Sequence, residues 1–229
     1  MTIGNLICGC LAIVSVFHGQ VNYVAIFVTG ALILDFLDGF VARMVNAQSE
    51  MGKQLDSLAD MVTFGVLPGM IMFHLMLKSN YFAIYESRLI FKIFKYYMFV
   101  VTAFSCLRLA KFNIDTRQTS SFIGVPTPAI TMVIVSLQLM IFHNQLGLQA
   151  YLSHPWVLIG IASLCSALLV AELPLISLKF KNFRFTDNKA QYILLISAAV
   201  MLPILKFAAV PGIIILYILL SLIYPPSKA

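Results

Sequence analysis

"VNYVAIFVTGALILDFLDGFVARMV", Val21 to Val45, decides the fold. From Val21 to Leu34 it carries no charge, and the whole stretch is long enough to cross the hydrocarbon of a bilayer as a helix, which takes about 20 residues. It then ends in Asp35, Asp38 and Arg43. Carboxylates at the edge of such a run are costly unless something compensates them. The rest of the chain must therefore account for both the bilayer and the compensation.

Composition accounts for the bilayer. The 229 residues are 61% hydrophobic and 10% charged, with a mean hydropathy of +0.95. Soluble domains are about half apolar and about a quarter charged. A chain of this length could not hide so much apolar surface from water. Apolar runs broken by charges, Gly, Pro and Asn predict eight spans near 2–18, 21–45, 52–77, 88–112, 125–146, 155–178, 190–205 and 208–223. Short alternating segments of the kind a membrane β-barrel needs are absent. Helices satisfy their own backbone in lipid, so the expected fold is all-α, a polytopic transmembrane bundle. One domain covers 1–229, with a core over about 1–180 and two final spans in 190–223. Merging those two spans into one long broken helix is the alternative.

Orientation follows from the positive residues. Ten of the fifteen Lys and Arg fall in the loops after spans two, four and six and at the C-terminus, and five on the other side. Both termini and the acidic end of span two are thus expected at the cytoplasmic face of the cell (inner) membrane. The net charge of +6 then reflects positive loops and anionic headgroups, and no nucleic-acid partner is expected. The stretch 78–97, "KSNYFAIYESRLIFKIFKYY", sets four positive charges on the opposite side and reads as an amphipathic interfacial segment rich in aromatics. Cys8, Cys10, Cys106 and Cys165 form no CxxC pair and read as packing residues.

Four of the six Asp residues fall within 26 positions: Asp35, Asp38, Asp56 and Asp60. Asp35 and Asp38 share a face at the end of span two, and Asp56 and Asp60 share one at the start of span three. The intervening loop is short, so the two helices should be antiparallel neighbours with facing acidic sides. Oxygen ligands converging from two rigid helices suit a hard cation such as Mg²⁺, Mn²⁺ or Ca²⁺. Gly39, Ala42 and Gly52 remove bulk beside the acids, and Arg43 offers a bidentate fork for phosphate. The constellation reads as a metal–diphosphate site. Helix-end salt bridges would need more basic residues nearby, and ion transport explains neither Gly39, Arg43 and Gly52 nor the placement at one membrane edge.

The stretch "DFLDGFVARMVNAQSEMGKQLDSLAD", Asp35 to Asp60, reads D-x2-D-G-x2-A-R-x8-G-x3-D-x3-D. This resembles the signature of the CDP-alcohol phosphatidyltransferases. Membrane prenyltransferases also hold diphosphates with aspartates but lack the D-G-x2-A-R block. "TIGNLICG" (2–9), "SLADMVTFGVLPG" (57–69), "LRLAKFN" (107–113) and "FIGVPTPA" (122–129) are similar to the bacterial-type membrane phosphatidylserine synthases. Lys111 stands where an Arg is common in that group.

The resemblance implies a helical bundle, typically a homodimer, that transfers the phosphatidyl group of CDP-diacylglycerol to L-serine and releases CMP. By that likeness Asp35, Asp38 and Asp56 ligate divalent metal, Mg²⁺ or Mn²⁺ in a two-metal site. Asp60 completes the second metal site and serves as the base on the acceptor hydroxyl. Thr2, Asn5, Gly39, Arg43, Ser49 and Gly52 line the CDP pocket. A serine carboxylate calls for cations on the same side, and Arg108, Lys111 and Arg117, with Asn113, gather at the end of span four. Lys179 and Lys181 could hold a lipid phosphate, and Pro126 and Pro128 set the start of span five. Membrane lipids are the remaining partners. Other acceptors, glycerol phosphate or an inositol compound, would keep the same chemistry, and an ion or solute transporter is the different-class reading.

Overall fold

The computed structural model describes residues 1–44, 49–79, 89–114, 122–176 and 188–224. All eight apolar segments read from the sequence contain helix. In chain order they are α1 (Thr2–Phe17), α2 (Val21–Met44), α3 (Glu50–Asp60) continuing through a π-helical segment (Met61–Val66) into α4 (Leu67–Lys78), α5 (Leu89–Tyr97), α6 (Val100–Ile114), α7 (Thr127–Phe142), α8 (Pro155–Val170), α9 (Lys189–Leu205) and α10 (Ala209–Ile223). Two-residue strands β1 (Phe122–Ile123) and β2 (Pro174–Leu175) pair antiparallel. Residues 80–88 of the expected interfacial stretch lie outside the described residues.

Among the described residues, four helical stretches are long and apolar enough to cross a membrane: Val21–Val41, Glu50–Lys78, Ile93–Ile114 and Lys189–Ile223. The chain is an integral membrane protein. Three further apolar helices, α1, α7 and α8, have 16 residues each. The stretch Lys189–Ile223 does not run as one rod. Lys206 adopts a left-handed φ of 47°, a Cβ on Gly212 would lie 2.5 Å from Met201, and Ala190 and Leu194 pack with Leu220. Residues at the two far ends therefore meet, so α9 and α10 fold back on each other as an antiparallel hairpin.

Local chemistry explains the boundaries. Gly19 at φ 69° turns the chain between α1 and α2, which approach closely where Gly4 meets Leu34. Ser49 is the extended N-cap of α3, and its Oγ accepts the Gly52 N–H at 3.0 Å. Thr127 and Pro128 open α7 after Pro126, as the two prolines suggest. Helix α7 is buried along almost its whole length, from Ile130 to Ile141, and is the central staff of the bundle. Around it Leu67, Ile71, Met72 and Met76 of α4, Val24 and Val28 of α2 and Leu158 and Ala162 of α8 close the core.

The rod from Glu50 to Lys78 is held by small contacts. A Cβ at Gly69 would lie 2.1 Å from Thr102 Oγ1 and 3.3 Å from the Phe99 ring. Thr102 would have to turn away and release the Gly65 carbonyl, to which its hydroxyl donates at 3.0 Å. Gly69→Ala is therefore expected to cost about 1–3 kcal/mol, seen as a lower thermal midpoint in detergent.

Candidate active site

Three helices meet at one end of the bundle. Asp35 and Asp38 come from the last turns of α2, and Asp56 and Asp60 from α3. Asp35, Asp56 and Asp60 each present an oxygen within 4.8 Å of the others. Asp38, one turn beyond Asp35, accepts a hydrogen bond from the Thr2 hydroxyl at the start of α1. Asn5, one turn further along α1 and fully buried, donates through Nδ2 to Asp60 Oδ1 at 3.0 Å. The acidic faces of two helices thus meet as the spacing implied, and α1 adds a polar edge from a third element.

The donor set fits a hard divalent cation. The ion pairs among the described residues, Lys53–Glu50 at 3.2 Å and Lys111–Glu172 at 2.9 Å, leave these aspartates out. Three carboxylates so close repel one another unless a cation enters. Asn5 Oδ1 is buried beside them with no hydrogen-bond partner among the described residues, a further oxygen of the kind such ions accept. Gly39 and Gly52 are exposed on the same helix ends. The side chain of Arg43 lies outside the described residues, as do Arg117, Lys179 and Lys181.

The end of α6 is tied to the site by Asn113, whose Nδ2 donates to Ser57 Oγ at 2.9 Å, one residue from Asp56. Lys111 turns to Glu172, beyond the end of α8. Arg108 is only 6% exposed. Its Nε donates to the Val125 carbonyl at 3.1 Å and a terminal nitrogen to the Gly124 carbonyl at 3.3 Å, with the guanidinium over Phe112. Gly124, at φ +78°, has room for no Cβ, since one would lie 2.8 Å from the Ala171 carbonyl; its N–H donates to Leu173 at 2.9 Å. Arg108 thereby clasps the loop between β1 and α7 to α6, while the loop's own backbone holds the chain leaving α8. Arg108→Met keeps volume but strands two carbonyls in an apolar setting. It is expected to cost about 2–4 kcal/mol, read as a lower unfolding midpoint, with Arg108→Lys recovering part of the loss.

Sequence reasoning did not find Ser57, Gly124 or the link from Asn5 to Asp60. Ser57 and Asn113 are 56 residues apart and Asn5 and Asp60 are 55, separations at which no periodic signal operates. Gly124 carried one usable signal, a glycine directly before Val-Pro.

Known proteins place this arrangement. CDP-diacylglycerol–serine O-phosphatidyltransferase of Bacillus subtilis is 40% identical over 137 residues, 60% of this chain and 72% of that one. The protein of the same name in Helicobacter pylori is 41% identical over 111 residues, 47% of this chain and 42% of its own length. Archaetidylserine synthase of Methanothermobacter thermautotrophicus is 30% identical over 145 residues, 62% of this chain and 58% of that one. Residues 1–178, which carry every element of the acidic site and stop short of the α9–α10 hairpin, match the model of one family. The chain belongs to the CDP-alcohol phosphatidyltransferases.

Proposed function

We propose that this protein transfers the phosphatidyl group of CDP-diacylglycerol to the hydroxyl of L-serine, giving phosphatidylserine and CMP. The observation that carries the reading is the convergence of Asp35, Asp56 and Asp60 within 4.8 Å at the end of the bundle that also holds Thr2, Asn5 and Asn113. The names of the Bacillus, Helicobacter and Methanothermobacter relatives all join a CDP-activated or archaetidyl lipid to serine, which selects serine over glycerol phosphate or inositol. In this reading all eight helical segments cross the inner membrane, the acidic end and both termini face the cytoplasm, and the protein works as a homodimer.

Asp35, Asp38, Asp56 and Asp60 would hold Mg²⁺ or Mn²⁺ in a two-metal site, which supplies charge neutralisation at the diphosphate and polarises its phosphoryl oxygens. The chain's own groups do the rest. Thr2, Asn5, Gly39, Arg43, Ser49 and Gly52 line the CDP pocket, with the two glycines admitting the diphosphate close to the backbone. Ser49 also keeps α3 capped through Gly52. The serine hydroxyl is a weak nucleophile at neutral pH and needs a positioned base. Asn5 engages Asp60 Oδ1 and leaves Oδ2 to take the proton. The serine oxygen bonds to the phosphorus that bears the diacylglycerol, and the anhydride bond to CMP breaks with its electron pair leaving on CMP. Lys111 and Arg117 are the proposed partners of the serine carboxylate and the Asn113 amide oxygen that of its ammonium, while Arg108 sets the loop before α7.

The test is CMP release by purified protein with Mn²⁺ or Mg²⁺ and CDP-diacylglycerol, offered L-serine, glycerol 3-phosphate and inositol in separate reactions. Release with serine alone is expected. Release only with another acceptor sinks the serine assignment, and cation flux through proteoliposomes without CMP would make the protein a transporter.

A further inference from the structure

The π-helical segment Met61–Val66 sits directly after Asp60, in a chain whose surroundings give no water to spare for loose backbone groups. A π turn carries one residue more than an α turn and frequently occurs at functional sites. Here Leu67 N–H reaches back five residues to the Val62 carbonyl. Loosened carbonyls in an apolar interior need other donors, and neighbouring helices supply them. Thr131 Oγ1 of α7 reaches the Phe64 carbonyl at 3.1 Å, shared with its own Thr127 carbonyl at 3.0 Å. Thr102 Oγ1 of α6 donates to the Gly65 carbonyl at 3.0 Å. On the other side, Thr63 Oγ1 donates to the Asn5 carbonyl at 3.2 Å, and Asn5 itself holds Asp60.

One inserted residue rotates everything before it by about 100° relative to an unbroken α-helix. In an unbroken helix Asp60 would stand above Leu67 and Ile71, seven and eleven residues on, and would share their face. Leu67 and Ile71 are fully buried in the core. The insertion takes the Asp56–Asp60 stripe off that face and onto α1 and α2, where Asn5 and Asp35 meet it. We propose that Thr102 and Thr131 are positioning residues: their hydroxyls hold the π segment open and so set the rotation that brings Asp56 and Asp60 onto Asp35. Pro68, four residues after Phe64, has no N–H, so a closed α turn would leave the Phe64 carbonyl unpaired; without the Thr131 and Thr102 hydroxyls the segment must shift to find other donors, which moves both aspartates. What the aspartates then fail to do rests on the function proposed above; that they fail to converge does not.

The test uses the full chain in detergent, comparing Thr102→Val and Thr131→Val, singly and together, with Thr102→Ser and Thr131→Ser. Mn²⁺ affinity is read from the electron paramagnetic resonance of free Mn²⁺ with no substrate present, and kcat and KM from CMP release. The double valine variant is expected to lose about tenfold or more in both Mn²⁺ affinity and kcat. Its KM for CDP-diacylglycerol should move by less than about threefold, and the serine variants should behave as wild type. A folded double valine protein that binds Mn²⁺ as wild type does, even with a lowered thermal midpoint, overturns the proposal, because the hydroxyls would then only aid packing. If the double variant does not fold, the single valines decide by the same Mn²⁺ reading. A wild-type protein that binds Mn²⁺ but releases no CMP would sink the proposed reaction and leave the Mn²⁺ comparison standing.

Discussion

Asp60→Asn is expected to lower turnover by about a thousandfold, the range a positioned base contributes, while CDP-diacylglycerol still binds. The substitution is nearly isosteric, and its amide oxygen can still accept from Asn5 Nδ2, so the neighbouring geometry should survive. What disappears is the negative charge and the lone pair able to take a proton from the acceptor hydroxyl. One carboxylate of the group lying within 4.8 Å is also lost, so some metal affinity should go with it. CMP-release kinetics at saturating Mn²⁺ separate the two effects, because excess metal repairs weak binding and not a missing base. A variant keeping more than about a tenth of wild-type turnover under those conditions assigns the base elsewhere.

The second large effect is a reversal of sign in stability. Asp35, Asp56 and Asp60 lie within 4.8 Å of one another, and unit charges at that distance repel by about 3.5 kcal/mol at an effective dielectric of about 20. With metal chelated, turnover should fall to background, and the fold should lose the cation that offsets this repulsion. Asp56→Asn removes part of it, so in chelator this variant should melt above wild type. Adding Mn²⁺ at about a hundred times its dissociation constant should stabilise wild type by about 2.7 kcal/mol. The variant, missing a ligand, should gain far less, and the order of the two melting curves should cross. Thermal unfolding with and without Mn²⁺ measures this directly. Parallel shifts in both proteins would mean that the carboxylates do not share an ion.

Much of this is legible in the amino-acid sequence. The apolar run Val21–Leu34 and its counterparts give helices because transfer from water and backbone satisfaction act locally along the chain. Asp35 and Asp38, and Asp56 and Asp60, recur at helical spacing, so their shared faces follow from periodicity, and a short loop makes the two faces neighbours. The likeness of the segments at 2–9, 57–69, 107–113 and 122–129 to one enzyme group was legible for the same reason, being carried by contiguous residues. Arg108 shows the limit. Its sequence position, three residues from Lys111, suggested an acceptor contact, whereas its guanidinium is spent on the carbonyls of Gly124 and Val125. A basic residue at a span's end reads alike in sequence whether it faces a pocket or clasps a loop.

The helices, the two acidic stripes and the end of the bundle that carries chemistry are written along the chain, since each is encoded by residues within a few turns of one another. How the stripes are turned to meet is settled by packing between helices. Pro68 denies the Phe64 carbonyl its helical donor, and Thr102, Thr131 and Asn5, from three other helices, satisfy or engage the segment there. Where the rotation comes to rest depends on hydrogen bonds between residues 37 to 67 positions apart, which no local pattern in the chain records.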